Sequence, residues 1–320
     1  MQDGELQGLA FCGETFSPRN VSIIIEKGII TEISDSTQLI NQWIAPAFFN
    51  AHTHIADTVA MDTPVGDHSL AELVAPPNGL KHRILRATPD DCLCNAMRET
   101  MQFMYATGTS SFAEFREGGV HGVQLLQQAF TSEIRPVTFG SDGGEFVADG
   151  LGLSSAKHPA EDLAAVEHAR AAGKRIAIHA GEAGTKDIDA AFALDPDFII
   201  HATYFEDRHI REAADRGIPL VICPRSTWIL GGTNSAARPQ VRKMIEAGCT
   251  LWLGTDTVMF VPPDMFADCA FIHTVYKLSP EEILSIATGD FPLLGGTGIL
   301  AGGEPLNSNC LYSTQLDRSA

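Results

Sequence analysis

The chain is predicted to be an α/β protein folded as a (β/α)8 (TIM) barrel. Eight short apolar runs recur along its 320 residues, helical patterns lie between most of them, and several of those patterns end in a glycine followed at once by the next run. Near-continuous apolar strands have both faces buried, as in a parallel sheet covered by helices. Repeats of this number over about 250 residues suit a closed barrel better than an open doubly wound sheet.

In chain order, the runs are IAPAFFNA (44–51), GTSSFAEF (108–115), RPVTFGS (135–141), DGLGLSS (149–155), RIAIHAG (175–181), FIIHAT (198–203), IPLVICP (218–224) and TLWLGTD (250–256). The helical patterns are PDDCLCNAMRETMQFMYATG, GVQLLQQAF, PAEDLAAVEHARAAG, EDRHIREAADRG and RPQVRKMIEAG. A glycine just past a helix is the usual C-terminal stop, and it ends several of them. Before the barrel, NVSIIIEKGIITEIS reads as a hairpin turning at Glu-Lys-Gly. After it, GGEPLNSNCLYSTQ holds one weak strand. The expected divisions are 1–45, 46–299 for the barrel and 300–320, with the two flanks free to pair. The segment from Ala56 to Thr88 is long and rich in Pro and Gly. A connection of that length is often a functional lid.

Forty acidic residues stand against 22 basic ones, a formal net charge of −18. A nucleic-acid binder needs a positive footprint, so polyanionic partners are not expected. The seven cysteines are scattered and odd in number, with no Cys-x-x-Cys pair, which reads as reduced thiols. Cys92 and Cys94 should face different ways on a helix. MQDGELQG has no apolar core of a signal peptide, and no run approaches membrane-spanning length. A cytoplasmic chain without a membrane partner is expected.

Barrel enzymes build their sites at the C-terminal ends of the strands. The first strand ends in His52-Thr53-His54, and residues at i and i+2 of a strand point to the same side. The fifth ends in His179 with Glu182 just beyond, the sixth in His201 and the eighth in Asp256. A lone histidine at a strand end is more often structural, but four on one rim point to a metal. His168 and His209 sit in charge-rich helical segments and read as solvated, while His121, His158 and His273 look ordinary. Imidazole nitrogens with one carboxylate suit zinc or a similar divalent ion such as iron, and do not suit calcium or magnesium. The ligands come from distant strands and face a rim, so catalysis is favoured over a closed structural site.

The stretches PAFFNAHTH, HAGE, IIHA and LGTD, in this order and spacing, resemble the amidohydrolase superfamily of metal-dependent hydrolases. The resemblance covers nearly the whole chain. It implies a small β-sandwich formed from both termini beside the barrel. His-x-x-Glu on the fifth strand resembles the deaminase branch. The segment CPRSTWILGG…VRKMIEAGCTLWLGTD is similar to the cytosine deaminase, S-adenosylhomocysteine deaminase and chlorohydrolase group. That group usually has Cys-Pro-x-Ser-Asn, and Thr227 replaces the Asn here. Some family members bind two metals through a carboxylated lysine at the fourth strand. Lys157 is the lysine to weigh for that role, but it falls beyond the strand end and reads as a surface residue, so one divalent metal per chain is expected.

The resemblance implies a metal held by His52, His54, His179 and Asp256, acidifying a water toward neutrality. Asp256 would take that water's proton, His201 would steady the developing tetrahedral centre, and Glu182 would protonate a ring nitrogen and then the departing ammonia. The zinc nucleobase deaminases of an unrelated fold give a non-ligand glutamate the same work. Weaker candidates for touching substrate are Lys81 and His82 in the first loop, Arg116 after the second strand (unless it simply pairs with Glu117), and Ser226 and Thr227 after the seventh. Trp228 could stack on a flat heterocycle or simply pack. The expected function is hydrolytic deamination of a small amino-substituted heterocycle of purine, pyrimidine, pterin or triazine type. Hydrolysis of a cyclic amide or ring halide is the alternative on the same scaffold, followed by a non-catalytic binding role. Homo-oligomerisation stays open.

Overall fold

The computed structural model describes residues 4–289 except 14, 28, 39–41, 65, 67, 132–133 and 157. The expected C-terminal strand, Cys310 and Lys157 therefore lie outside the described residues.

The chain opens with a four-stranded sheet in the order β3-β2-β1-β4. Its strands are β1 (Gly4–Cys12), β2 (Ser17–Glu26), β3 (Ile29–Asp35) and β4 (Trp43–Ile44). The β2–β3 hairpin forms as expected, with Val21, Ile23 and Ile25 turned inward at strand period. They pack with Ala10, Ile30 and Ile44. β1 was not anticipated. Its sequence, GELQGLAFC, lacks a β-branched run, and antiparallel pairing along the whole of β2 makes it a strand.

The barrel follows with β5 (Phe48–His54), β6 (Thr109–Arg116), β7 (Arg135–Gly140), β8 (Gly150–Leu153), β9 (Arg175–Ala180), β10 (Phe198–His201), β11 (Leu220–Ile222), β12 (Leu251–Leu253) and β13 (Asp256–Thr257). All eight expected runs are strands, parallel and in sequential order. The eighth is split. β12 pairs with β11, the chain breaks at Gly254–Thr255, and β13 then pairs with β5 through Asp256↔Thr53 and Thr257↔His54. The buried Asn50 side chain spans the break, donating to Thr255 Oγ1 (2.8 Å) and accepting from Thr255 N (3.0 Å). That amide replaces missing ladder bonds and closes the ring.

Phe49, Ala51, Ala113, Phe115, Val137, Phe139, Ala177, Phe198, Ile200, Val221 and Trp252 fill the barrel interior. β8 contributes only Gly150 and Gly152 there, and Phe139 and Phe115 occupy the room this leaves. Burying such a ring contributes about 1.5–3 kcal/mol.

The helices are α1 (Leu70–Val74), α2 (Leu80–Ala87), α3 (Asp90–Ala106), α4 (Gly119–Ala129), α5 (Pro159–Ala171), α6 (Ile188–Ala193), α7 (Asp207–Arg216), α8 (Pro224–Ile229), α9 (Val241–Glu246), α10 (Met265–Tyr276) and α11 (Pro280–Thr288). In α3, Leu93, Met97, Met101 and Met104 recur at helical spacing and pack on Ile55, Phe112 and Leu126. Cys92 is exposed and Cys94 buried on the same helix, and both are free, as are Cys223, Cys249 and Cys269. α7 stops at Gly217, whose φ of 62° costs a residue without Cβ little.

Two expectations need correction. The stretch 56–88 is not an open loop: a 3-10 turn (Ile55–Ala60), α1 and α2 occupy most of it. His209 is not solvated. It is fully buried between Phe192 and Phe205, and its Nδ1 accepts from Glu206 N at 3.0 Å, capping α7. His168, His121, His158 and His273 are exposed as expected. Among the described residues, no helix is long and apolar enough to cross a membrane.

Candidate metal and catalytic centre

The strand ends bring together the side chains expected to meet. His52 and His54 leave β5 on one side, His179 lies near the end of β9, His201 closes β10 and Asp256 opens β13. His52 Nε2 is 3.3 Å from both His179 Nε2 and Asp256 Oδ1. His54 Nε2 is 3.7 Å from the same Oδ1. Atoms bound at about 2.0–2.1 Å to one tetrahedral centre stand about 3.3 Å apart. Ligand atoms of His52, His54 and His179 lie within 4.8 Å of one another, as do those of His52, His201 and Asp256, so imidazole nitrogens with one carboxylate oxygen could hold a divalent ion of zinc's size around His52. Gly254 lets the strands approach this closely, because a Cβ there would lie 2.7 Å from His52 Cβ.

Electrostatics favours the ligating forms of His52, His179 and Asp256. Burial pushes His52 down to about 3 and His179 well below the usual imidazole range, so both are neutral. For Asp256, burial works toward protonation, but the His52 hydrogen bond and the surrounding imidazoles hold it well below the carboxylate range. Burial and Lys81 oppose protonation of His54, yet Glu117 and Asp57 raise its pKa overall. Glu117 Oε1 lies 3.0 Å from His54 Nδ1, close enough to pair with it though not aligned as a hydrogen bond, and Nε2 is turned to the cluster. His179 Nδ1 lies 2.8 Å from the Leu153 carbonyl, which fixes its ring in the same way.

His201 stands beside this cluster, its ring 5.6 Å from that of His52 and 5.3 Å from that of His179. Its Nε2 is 3.8 Å from Glu182 Oε2, and its buried Nδ1 has no hydrogen-bond partner among the described residues. The Glu182 side chain is 31% exposed, so it meets both the cluster and the open rim. His201 (φ 78°) and Asp256 (φ 68°) both hold left-handed backbone, which costs an ordinary residue on the order of 1–3 kcal/mol. That strain falls on two of the residues expected to do chemistry.

Among the weaker candidates, Lys81, His82, Arg116 and Ser226 have polar atoms engaged by protein groups. Lys81 lies on α2, buried against Asp57 and Glu117. His82 Nε2 is 3.0 Å from the Val74 carbonyl. Arg116 donates to the Gly122 carbonyl (3.3 Å) and to Glu117 (3.2 Å). Ser226 Oγ donates to Asp256 Oδ2 at 2.7 Å. Thr227 is buried in the first turn of α8. Trp228 is exposed, edge-on to Phe271 at 6.4 Å. Asn50, Asp57 and Glu114 were overlooked by sequence reasoning. Glu114, fully buried, accepts from Thr53 Oγ1 at 2.8 Å and Ile55 N at 2.9 Å, bracketing His54. Nothing local in FAEFREGG marks that role, because it depends on β5 lying next to β6.

Residues 99–289 match the adenosine deaminase family. A protein of Methanothermobacter thermautotrophicus, provisionally described as an aminohydrolase, is 32% identical over 93% of this chain and 88% of its own length. The adenine deaminase of Chelativorans sp. is 33% identical over 33% of this chain and 35% of that protein. Among solved structures, 5-methylcytosine deaminase from Klebsiella pneumoniae has a TM-score of 0.71 at 14% identity, covering 98% of this chain and 94% of that one. Atrazine chlorohydrolase from Arthrobacter aurescens TC1, complexed with zinc, has a TM-score of 0.71 at 15% identity, covering 89% and 81%. At such identities the structural likeness speaks to the fold alone. The matched family and the full-length relative decide the assignment: the chain belongs to the adenosine deaminase family of the amidohydrolases, hydrolases acting on carbon–nitrogen bonds other than peptide bonds.

Proposed function

We propose that this chain is a mononuclear metal-dependent aminohydrolase that releases ammonia from a small amino-substituted heterocycle of purine, pyrimidine, pterin or triazine type. His52, His54, His179 and Asp256 would hold the ion, zinc being favoured by the donor set. When bound, the ion supplies Lewis acidity that makes a water nucleophilic near neutral pH. Asp256, with Oδ2 fixed by Ser226, accepts the water's proton. His201 steadies the oxygen that attacks the ring carbon. Glu182 gives a proton to the adjacent ring nitrogen, which prepares that carbon for attack. A second proton, delivered to the exocyclic amine, lets it leave as ammonia.

The observation that carries this reading is the position of Glu182. It follows the ligand His179 by three residues, lies 3.8 Å from His201 and remains partly open to the rim. Ring protonation is a need of deamination, and a carboxyl at that place meets it. The relatives described as adenine deaminases and the solved 5-methylcytosine deaminase lend support from names alone. The test measures ammonia and chloride release over a panel of aminopurines, aminopyrimidines, pterins and chlorotriazines with the zinc-loaded protein. Ammonia release that falls by ~10²–10⁴ in Glu182→Gln at unchanged metal content is the expected result. Chloride release as the sole activity would instead assign the halide reaction. Near-normal deamination by a folded, metal-loaded Glu182→Gln would remove that residue from the chemistry.

A further inference from the structure

Lys81 has no place in the proposed chemistry, yet it is a lysine only 4% exposed, about 25 residues beyond the first ligand pair and on a different element. Its Nζ lies 2.5 Å from Glu117 Oε1 and 3.1 Å from Asp57 Oδ2. Each of those carboxylates reaches a different ligand strand. Glu117 Oε1 also faces His54 Nδ1 at 3.0 Å. Asp57 Oδ2 also accepts from Thr257 Oγ1 at 2.6 Å, and Thr257 follows Asp256 and pairs with His54 across the β5–β13 seam. Arg116 Nη1 holds the other oxygen of Glu117 at 3.2 Å. Two cations and two carboxylates thus meet in charge balance, with Lys81, Arg116 and Asp57 buried and the Glu117 side chain 20% exposed.

We infer that Lys81 is a positioning residue for the metal site: it holds Glu117 against His54 Nδ1, and thereby aims His54 Nε2 at the ion. The argument rests on the metal-site reading above. Without the ammonium, the buried Asp57 and the partly exposed Glu117 would lose the cation they share. Glu117 would turn toward Arg116, its remaining cation, and His54 would lose the carboxylate that pairs with its Nδ1. Outer partners of this kind are worth roughly 10–100-fold in metal affinity. A lysine acting merely as a nearby positive charge has the opposite effect, because deleting it would tighten the hold on a cation. The two roles therefore differ in sign.

The experiment measures zinc affinity by chelator competition and the visible spectrum of the cobalt-substituted protein, for wild type, Lys81→Met, Lys81→Arg, Glu117→Leu and the double Lys81→Met/Glu117→Leu. The expected result is a roughly 10–100-fold weaker affinity and an altered cobalt spectrum in K81M, with part of the affinity restored in K81R. Because Lys81 acts through Glu117, the double variant should lose no more than E117L alone. The double replacement removes one charge of each sign, so it serves even where K81M does not fold. Unchanged or tighter zinc binding in K81M, or losses that add in the double variant, would overturn the assignment. So would failure of every variant to fold, which would make the cluster a support of the barrel only. A wild-type protein that takes up no stoichiometric zinc would fail the underlying metal reading instead.

Discussion

Ser226 Oγ donates to Asp256 Oδ2 at 2.7 Å, while the carboxylate meets His52 and His54 through Oδ1. The serine thereby decides which oxygen faces His52 and His54 and which stays in reserve. A hydrogen bond to a charged group contributes about 1.5–3 kcal/mol. Ser226→Ala should therefore lower turnover roughly 10–100-fold while the three imidazoles retain the metal. Steady-state kinetics beside elemental analysis checks this, and Ser226→Thr, which keeps the hydroxyl, should recover much of the rate.

One ion per chain should be found in the purified protein, and it should stabilise the fold. A ligand that binds only the native state at a thousand times its dissociation constant adds about 4 kcal/mol. Chelation should lower the melting temperature, and zinc should restore it. The double replacement of His52 and His54 by Ala should remove both responses. Two tightly held ions, one of them lost in Lys157→Ala, would point instead to a bridged pair.

Burial pushes the Glu114 carboxyl up to about 7, with Arg116 opposing that shift. The folded state therefore prefers the protonated acid, whose ordinary pKa is 4.5. Stability from this group is complete below that ordinary value and is lost as pH climbs through the folded one. Glu114→Gln keeps an acceptor for Thr53 and Ile55 but cannot ionise. Its stability relative to wild type should rise between pH 5 and pH 8 by on the order of 3 kcal/mol, read from urea unfolding at both values. A pH-independent difference would show that Glu114 is ionised in the fold.

The net charge of −18 predicts a fold that salt assists. Like charges on a compact body repel, and the Debye length falls from roughly 10 Å at 0.1 M to 3 Å at 1 M. The melting temperature should rise over that range in potassium chloride. Scans in sodium sulfate and potassium chloride at matched ionic strength separate screening from the general salting-out of apolar surface.

Much of this centre was legible in the chain because strand periodicity and ligand chemistry reinforce each other. His52 and His54 at i and i+2 state their common direction outright, and an apolar run ending in His or Asp states where a barrel strand stops. The supporting partners are hidden for a physical reason. Glu117 meets His54 across neighbouring strands, while Lys81 reaches both Asp57 and Glu117 from a helix within a Pro- and Gly-rich stretch. His209 misled because charged residues flank it in sequence, yet it lies on the face of its helix that Ile210 and Ala213 bury. β1 became a strand by pairing, which no local preference announces.

The split in the eighth strand gives the last-made part of the barrel authority over the first. Asp256 reaches His52 only once Thr255 has engaged Asn50 and β13 has seated on β5, some two hundred residues away along the chain. A nascent or partly opened barrel has its histidines but lacks the carboxylate that completes the set. Capture of the proposed ion would then act as a latch on ring closure, and the route by which it escapes should be the parting of this one seam.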